Sequence, residues 1–312
     1  MKPRLTLIIC TYNRASLLTY CLRALVEQDH IPEPWELLIV DNNSNDDTQQ
    51  IVEDFFAQHP YLAGRCITES RQGLSHARNR GYQEAQSDWV LYLDDDAKAR
   101  PDFLRRALWL VEQAPFQVVG GVYLPWYHFG RPHWYQDRYA TNKLPYQTLT
   151  VPPSNYVATG GVMLWQTTLL HELGGFDPRV GMVGTTLAYG EETYLQAKAR
   201  KRGIAVAYDP DLVIYHVVME QKLHLDYFFR SYFAAGRDAV LGGQLSTDSS
   251  TIASQLLLGV GVMTKDLIIY TPRLLRPDYY LENWLIDVFR KVSKRVGSIY
   301  TILSVRNTHR FD

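Results

Sequence analysis

Cysteine is scarce, net charge is nearly absent, and long apolar runs are few. Three cysteines in 312 residues, Cys10, Cys21 and Cys66, with no CxxC pairing, exclude a disulfide framework and a zinc knuckle. Cys10 ends an apolar run and Cys21 falls on an apolar helix face, so buried free thiols in a reducing compartment are expected. Thirty-two Lys and Arg against 33 Asp and Glu leave a formal charge of -1. No global basic field is available to attract nucleic acid. The N-terminus opens into a strand-like run, Leu5 to Cys10, without the layout of a signal peptide, which points to a cytoplasmic catalytic domain. The longest weakly polar stretch, Thr251 to Thr264, is shorter than the roughly 20 residues a bilayer needs and is stopped by Lys265 and Asp266, so no transmembrane helix is expected. No GxGxxG follows the first strand, which argues against a nicotinamide dehydrogenase. No Gly-rich, Lys- or Arg-bearing phosphate loop stands there either, which argues against a nucleotidyltransferase.

What is present begins with an alternation of β-branched runs and helical periodicity. Strands are expected at Leu5 to Cys10, Leu37 to Val40 and Trp89 to Leu93, and helices at Leu17 to Gln28, Thr48 to Phe56 and Leu74 to Ala85. Such alternation builds a mostly parallel sheet with helices on both faces. The first helix recurs with Leu17, Leu18, Cys21, Leu22 and Leu25 on one side, and the second with Ile51, Val52, Phe55 and Phe56. Open parallel sheets bind ligands outside the carboxyl ends of their strands. Three of those ends read Thr11-Tyr12-Asn13-Arg14, Asp41-Asn42-Asn43 and Asp94-Asp95-Asp96. After residue 115 the pattern loosens into a strand at Gln117 to Val122, an aromatic connection, a Gly-Gly turn, and helices around Leu164 to Leu173 and Glu192 to Arg202. Beyond Val217 it is mostly helical, ending in a stripe of Leu285, Val288, Phe289, Val292, Val296, Ile299 and Leu303 with Arg290, Lys291, Lys294 and Arg295 on the other side.

The run VLYLDDD puts three carboxylates at the end of a buried strand, and period-two geometry sends Asp94 and Asp96 to one face and Asp95 to the other. Two acids so close repel unless a proton or a divalent ion relieves them, and Mg²⁺ or Mn²⁺ shared with substrate phosphates is the usual solution. An acidic loop capping the helix that begins near Pro101 is the alternative, but a cap needs one acid.

At these residues the chain resembles the family-2 glycosyltransferases of the GT-A fold, through LIICTYNR, IVDNNSNDDT, RQGLSHARNRG, YLDDDA, ATGG, LGGFD, GEET and IYH in that order. The resemblance implies an inverting, metal-dependent glycosyltransferase that moves a sugar from a nucleotide-sugar, by family habit a UDP-sugar, to an acceptor hydroxyl in polysaccharide or glycolipid synthesis. It implies a Rossmann-like, nucleotide-sugar-binding α/β domain with a mixed, mostly parallel sheet over residues 1–240, divided into a nucleotide-binding half (1–115) and an acceptor half (116–240). A helical C-terminal extension fills 241–312.

On this resemblance Thr11, Tyr12, Arg14 and Asp41 hold the base and ribose, although Asp41 also suits an Asx turn. Arg78 belongs near the diphosphate, Asp94 and Asp95 to the donor side, and Gly160 and Gly161 to a close backbone approach, for which a plain tight turn is an equally good physical account. Asp96 is the implied metal ligand with Asp94 nearby and His216 as a further ligand, an imidazole favouring Mn²⁺ over Mg²⁺. The base that takes the acceptor proton is assigned to Glu192, with Glu191 in reserve; the family usually has Asp at the second position. A degenerate relative that only binds sugar-nucleotide is the competing reading, and the retention of both DDD and GEET argues against it. The aromatic segment from Trp126 to Tyr139 suits either sugar stacking or packing. The expected partners are a nucleotide-sugar donor and a saccharide or lipid-linked acceptor. The C-terminal helix from Trp284 is expected to lie on the inner membrane face, on the domain, or on a second subunit.

Overall fold

The computed structural model of the chain describes residues 2–308 apart from 32, 154, 180–189 and 242–244. Two compact units emerge, one of Met1–Trp126 with Ala140–Val217, the other of Tyr127–Tyr139 with Val218–Asp312. This division places the helix before residue 240 with the C-terminal helices.

In the first unit the strands are β1 (Leu5–Thr11), β2 (Trp35–Asp41), β3 (Gly64–Thr68), β4 (Trp89–Asp94), β5 (Ala97–Ala99), β6 (Val118–Trp126), β7 (Val162–Gln166) and β8 (Val206–Val217). They form one sheet in the order β3-β2-β1-β4-β7-β6-β8-β5, parallel from β3 through β4 and between β6 and β8, antiparallel at β7 and β5. The helices are α1 (Ala15–Val26), α2 (Thr48–Gln58), α3 (Leu74–Glu84), α4 (Phe103–Gln113), α5 (Thr167–Leu173) and α6 (Glu191–Lys201).

Strand periodicity explains the two cores. Leu7 and Ile9 of β1 pack with Leu18, Leu22 and Phe103 on one face, while Ile8 packs with Val40, Tyr92 and Trp165 on the other. Helices therefore cover both faces, as an apolar, mostly parallel sheet demands. The expected α1 stripe, Leu17, Leu18, Cys21, Leu22 and Leu25, is buried in full. In α2 Val52 and Phe55 are buried, with Ile51 and Phe56 partly so. Of the thiols Cys21 is buried, Cys10 half-buried and Cys66 exposed, so the expectation of buried cysteines fails at Cys66.

One expected helix divides. Val162–Gln166 is a strand and only Thr167–Leu173 is helical, because the run Val162 to Trp165 is buried on both sheet faces and so lacks the alternation that marks a half-buried strand.

The second unit holds α7 (Leu225–Leu241), α8 (Ser249–Tyr270) and α9 (Leu281–Thr308); one 3-10 turn, Glu220–Leu223, precedes α7 and another, Thr271–Leu275, lies between α8 and α9. The expected aromatic segment packs here. Trp134 and Tyr135 are buried, Tyr139 lies 5.0 Å from Phe228, and Asn283 Nδ2 donates to the Trp134 carbonyl at 2.7 Å. The expected α9 stripe is also revised. Val288 is buried, but Val296 and Leu303 are about half exposed, and the inner face is built from Asn283, Ile286, Asp287, Ser298, Thr301 and Ile302. The reason lies in close backbone approach. A Cβ at Gly236 would collide with the Lys294 carbonyl, and one at Gly297 with the Phe233 carbonyl, so α7 and α9 meet through small residues rather than large apolar ones. The basic side of α9 is turned to α8: Lys291 Nζ lies 3.0 Å from Asp266 Oδ1, Arg295 donates to Gln255 at 2.7 Å, and Arg290 to the Tyr270 hydroxyl at 3.1 Å.

The apolar stretch expected to end at Thr264 belongs to a longer helix than the sequence suggested. The helical stretch Ser249–Leu275 is long and apolar enough to cross a bilayer by length and composition, because it runs past Lys265 and Asp266.

Candidate active site

The acids at the end of β4 are brought to a histidine more than 100 residues away by one strand pair. β5 follows the acidic turn directly and runs antiparallel to β8, with Ala97 opposite His216 and the Val217 amide donating to the Asp96 carbonyl at 3.0 Å. Asp94, Asp96 and His216 thereby each offer a ligand atom within 4.8 Å of the others. His216 Nε2 is 3.1 Å from Asp96 Oδ1 and 3.4 Å from Asp94 Oδ2. Its Nδ1 lies 3.0 Å from the Val217 carbonyl, which only accepts, so Nδ1 carries a hydrogen and Nε2 is the ring atom turned to the carboxylates. At these distances a proton on Nε2 or a cation must lie between the ring and the two carboxylate oxygens. Asp96 Oδ1 is buried and makes no hydrogen bond besides the 3.1 Å approach of His216 Nε2, which leaves it lone-pair capacity that a cation could take up. This donor set of two carboxylate oxygens and one imidazole nitrogen suits Mn²⁺.

Strand alternation ends at Asp94, because Asp95 and Asp96 lie in the turn after β4, and Asp95 stands outside the group of three. Arg14 Nη1 donates to Asp95 Oδ1 at 3.1 Å and to Asp96 Oδ2 at 2.7 Å. Burial pushes the Asp95 carboxyl up to about 7, with Arg14 opposing and the Asp96 charge adding to the rise. At Asp94 burial works upward as well, but His216 and then Arg78 and Arg14 outweigh it and hold the carboxyl below its usual range. Arg14 therefore sits on the acidic turn, a position that the sequence assigned to the base and ribose group did not reveal.

The loops after β1 and β2 are tied to each other. Asn13 and Asn43 take left-handed backbone conformations at φ 52° and 64°, which Asn tolerates better than most residues. The Asn13 amide donates to Ser44 Oγ at 3.0 Å, and the Asn45 amide to Asn13 Oδ1 at 2.7 Å. Asp41 is buried and accepts the Ser44 amide at 3.0 Å, so its turn-forming role is present. Tyr12 is half-buried, and Thr11 is buried with its side chain near enough to Asp95 to favour that carboxylate. Asn42 is a hub missed by sequence reading: its Nδ2 donates to the Glu69 and Arg71 carbonyls and its Oδ1 accepts from Gly73 N, anchoring the entry to α3. An Asn among several in a polar loop gives no signal of such a role.

From α3, Arg78 enters the site buried, with Nη1 donating to Glu191 Oε1 at 2.8 Å and Nη2 3.8 Å from Asp94 Oδ1. The next residue, Asn79, fixes the LGGFD loop by exchanging two hydrogen bonds with the backbone of Phe176. The Gly-Gly pair gains its reason here. A Cβ on Gly160 would collide with the Arg78 guanidinium and one on Gly161 with the Asp94 carboxylate, so these glycines make room for the site's own side chains. β7 delivers them to that place by pairing with β4, Val162 opposite Leu93, while the Asp94 amide donates to the Gly161 carbonyl at 3.3 Å.

The two glutamates of GEET open α6 and differ in kind. Glu191 is buried and committed to Arg78, whereas Glu192 is partly exposed with Oε1 accepting the Gly160 amide at 3.2 Å. Burial raises the Glu192 carboxyl above its ordinary range, Arg78 acting against this and the Glu191 charge adding to it. Gln196, fully buried one turn on, exchanges two hydrogen bonds with Ala158 and so fixes α6 beside the Gly-Gly turn. A glutamine inside a polar helix sequence carried no hint of that positioning role.

Comparison with known proteins agrees with this geometry. The family model described as glycosyl transferase family 2 matches residues 6–174. Glucosyl-dolichyl phosphate glucuronosyltransferase of Haloferax volcanii is 23% identical over 268 residues, 82% of this chain and 83% of that protein. Glycosyltransferase AglE of the same organism is 30% identical over 119 residues, so the match spans 38% of this chain and 39% of that relative. Among solved structures, the mannosyltransferase PcManGT of Pyrobaculum calidifontis, in complex with GDP-Man and Mn²⁺, superposes with a TM-score of 0.63 at 19% identity, covering 96% of this chain and 88% of that one. TarS residues 1–349 of S. aureus, in complex with UDP-GlcNAc, give 0.55 at 16% identity over 98% and 92%. The shared architecture is the GT-A fold.

Proposed function

This chain belongs to glycosyl transferase family 2, and on that premise we propose that it catalyses metal-dependent, inverting transfer from a nucleoside diphosphate sugar, a uridine one by family habit, to the hydroxyl of a saccharide or lipid-linked acceptor. The observation that carries the reading is the meeting of Asp94, Asp96 and His216 around the buried Asp96 oxygen, with a base-competent Glu192 at the start of α6. Asp96, His216 and Asp94 would hold Mn²⁺ or Mg²⁺, which when bound neutralises diphosphate charge. Thr11, Tyr12 and Asp41, at the ends of β1 and β2, would receive base and ribose, and the Arg78 guanidinium the diphosphate side.

Inversion needs a single displacement. The acceptor oxygen bonds to the anomeric carbon as the bond from that carbon to the diphosphate oxygen breaks, and the acceptor proton passes to Glu192. The nucleoside diphosphate leaves with the bonding electron pair. Arg78 holds Glu191 in a buried ion pair and thus keeps the second carboxylate from sharing that proton. An upward-shifted Glu192 is a better proton acceptor than an ordinary carboxylate.

A lipid-linked acceptor is favoured because one relative is named for glucosyl-dolichyl phosphate and another, of Campylobacter jejuni, is a GalNAc(5)-diNAcBac-PP-undecaprenol beta-1,3-glucosyltransferase. The test is donor hydrolysis by the purified protein with UDP-sugars and GDP-sugars, with and without Mn²⁺, for the wild type and Glu192→Gln. Metal-dependent hydrolysis of one donor class, lost in the variant while nucleotide binding persists, is the expected result. Equal turnover by the variant would move the base to Glu191.

A further inference from the structure

In the second unit, α8 distributes polarity in the reverse of what water requires. Its outward side chains include Leu256, Leu257, Leu258, Val260, Ile268 and Ile269, with Leu257 77% and Ile268 71% exposed. Its inward face carries Gln255, Asp266 and Tyr270, each held by a basic residue of α9. Asp266 is the one residue of the helix that is fully buried. Side chains 11 and 4 positions apart recur on one face of a helix, so these three polar groups form a line toward α9. A helix that spends its polar groups on its neighbour and turns leucines outward is matched to an apolar surrounding.

Three occupants fit such a face: a second copy, a bilayer that the helix spans, or a lipid surface on which it lies. Charge decides against the copy. From residue 249 onward the chain has nine Lys and Arg against five Asp and Glu, while the preceding residues have 23 against 28. Two such segments would repel one another, and an anionic lipid surface would attract either. The ion pair decides against a span. Asp266 is tied to Lys291, and α9 brings Arg290, Lys294 and Arg295 with it, so α8 cannot enter the hydrocarbon alone without breaking a buried pair. The segment after α8 continues the pattern as Arg273-Leu274-Leu275-Arg276, with Leu275 90% exposed. Lys265, exposed at the edge of the apolar face, has a stem long enough to keep its charge among headgroups.

We infer that the outward face of α8, continued through Leu275, is a membrane-docking surface that lies in the plane of an anionic lipid interface. This assigns the interfacial role to α8 rather than to α9, which is occupied in holding α7 and α8. It stands independently of the transfer chemistry.

The experiment is co-sedimentation of the full chain with phosphatidylcholine vesicles rich in phosphatidylglycerol and with vesicles of phosphatidylcholine alone. The wild type is expected to bind the anionic vesicles, to be released by high salt or alkaline carbonate, and to lose binding about tenfold when Leu257→Ser and Ile268→Ser are combined. Both positions are exposed, so the double variant is expected to keep the wild-type far-UV spectrum and donor hydrolysis. Absence of wild-type binding, or equal binding by the variant, overturns the assignment. Retention through alkaline carbonate would show a span instead. A wild-type dimer in sedimentation velocity that the variant converts to monomer would show that a second copy covers the face.

Discussion

The end of β4 and the outward face of α8 treat polarity in opposite ways. At β4 three carboxylates are drawn into a mostly buried site, where Arg14, Arg78 and His216 approach them. At α8 the leucines are outside and the carboxylate of Asp266 is inside, matched to Lys291. Both arrangements bury charge at a cost that pairing has to offset, and each is intelligible only with a ligand added. The ligand proposed for the first unit is a cation with a diphosphate, and for the second a lipid surface.

The largest expected effect falls on the first region. Asp96→Ala removes the oxygen that faces His216, and metal-dependent nucleotide binding is expected to vanish with transfer falling by about 10³-fold or more, read by calorimetry and product formation. Glu192→Gln is expected to leave nucleotide affinity unchanged and to lower kcat by about 10²- to 10⁴-fold. Glu191→Ala separates the paired glutamate from the base. It strands a buried Arg78, so chemical denaturation should report a loss of about 3–5 kcal/mol, an effect Glu192→Gln should not share. Gly161→Ala, which forces the Asp94 carboxylate aside, is expected to cost about 1–3 kcal/mol and to weaken metal binding.

The pH profile sharpens the contrast further. A base must be unprotonated to act, and burial raises the Glu192 carboxyl above its ordinary range. The acid limb of kcat/KM should therefore rise with pH through a midpoint above that of a free glutamate and should disappear in Glu192→Gln. The smallest effect is expected at α8. Leu257→Ser with Ile268→Ser should change stability by no more than about 0.5 kcal/mol in lipid-free solution, because water already surrounds both side chains there.

Much of this was legible in residue order. The alternation of β-branched runs and helical stripes placed β1, β2, β4, α1, α2 and α3 within a few residues, since each buries one clear apolar face or run. The acids after β4 and the glutamates of GEET were legible because their chemistry is costly without a purpose. Other features depended on distant partners. β5 is three residues long and owes its existence to β8. β7 is apolar on both faces and so read as part of a helix. The Gly-Gly pair read equally well as a turn until Arg78 and Asp94 stood beside it. In α9 the apolar stripe drew attention, yet the packing runs through Gly297, Ser298 and Thr301, whose small size matters only against Gly236. The span estimate for α8 stopped at Lys265 and Asp266 because pairing of Asp266 with Lys291 cannot be read from spacing along one segment.

The central claim is that the acids of β4 and His216 form a cation-dependent nucleotide site. Calorimetric titration of the wild type and Asp96→Ala with UDP, GDP and dTDP, each with and without Mn²⁺, tests it most directly. The account predicts manganese-dependent binding of one nucleotide by the wild type and none by the variant; binding that is indifferent to manganese, or equal in the two proteins, would contradict it.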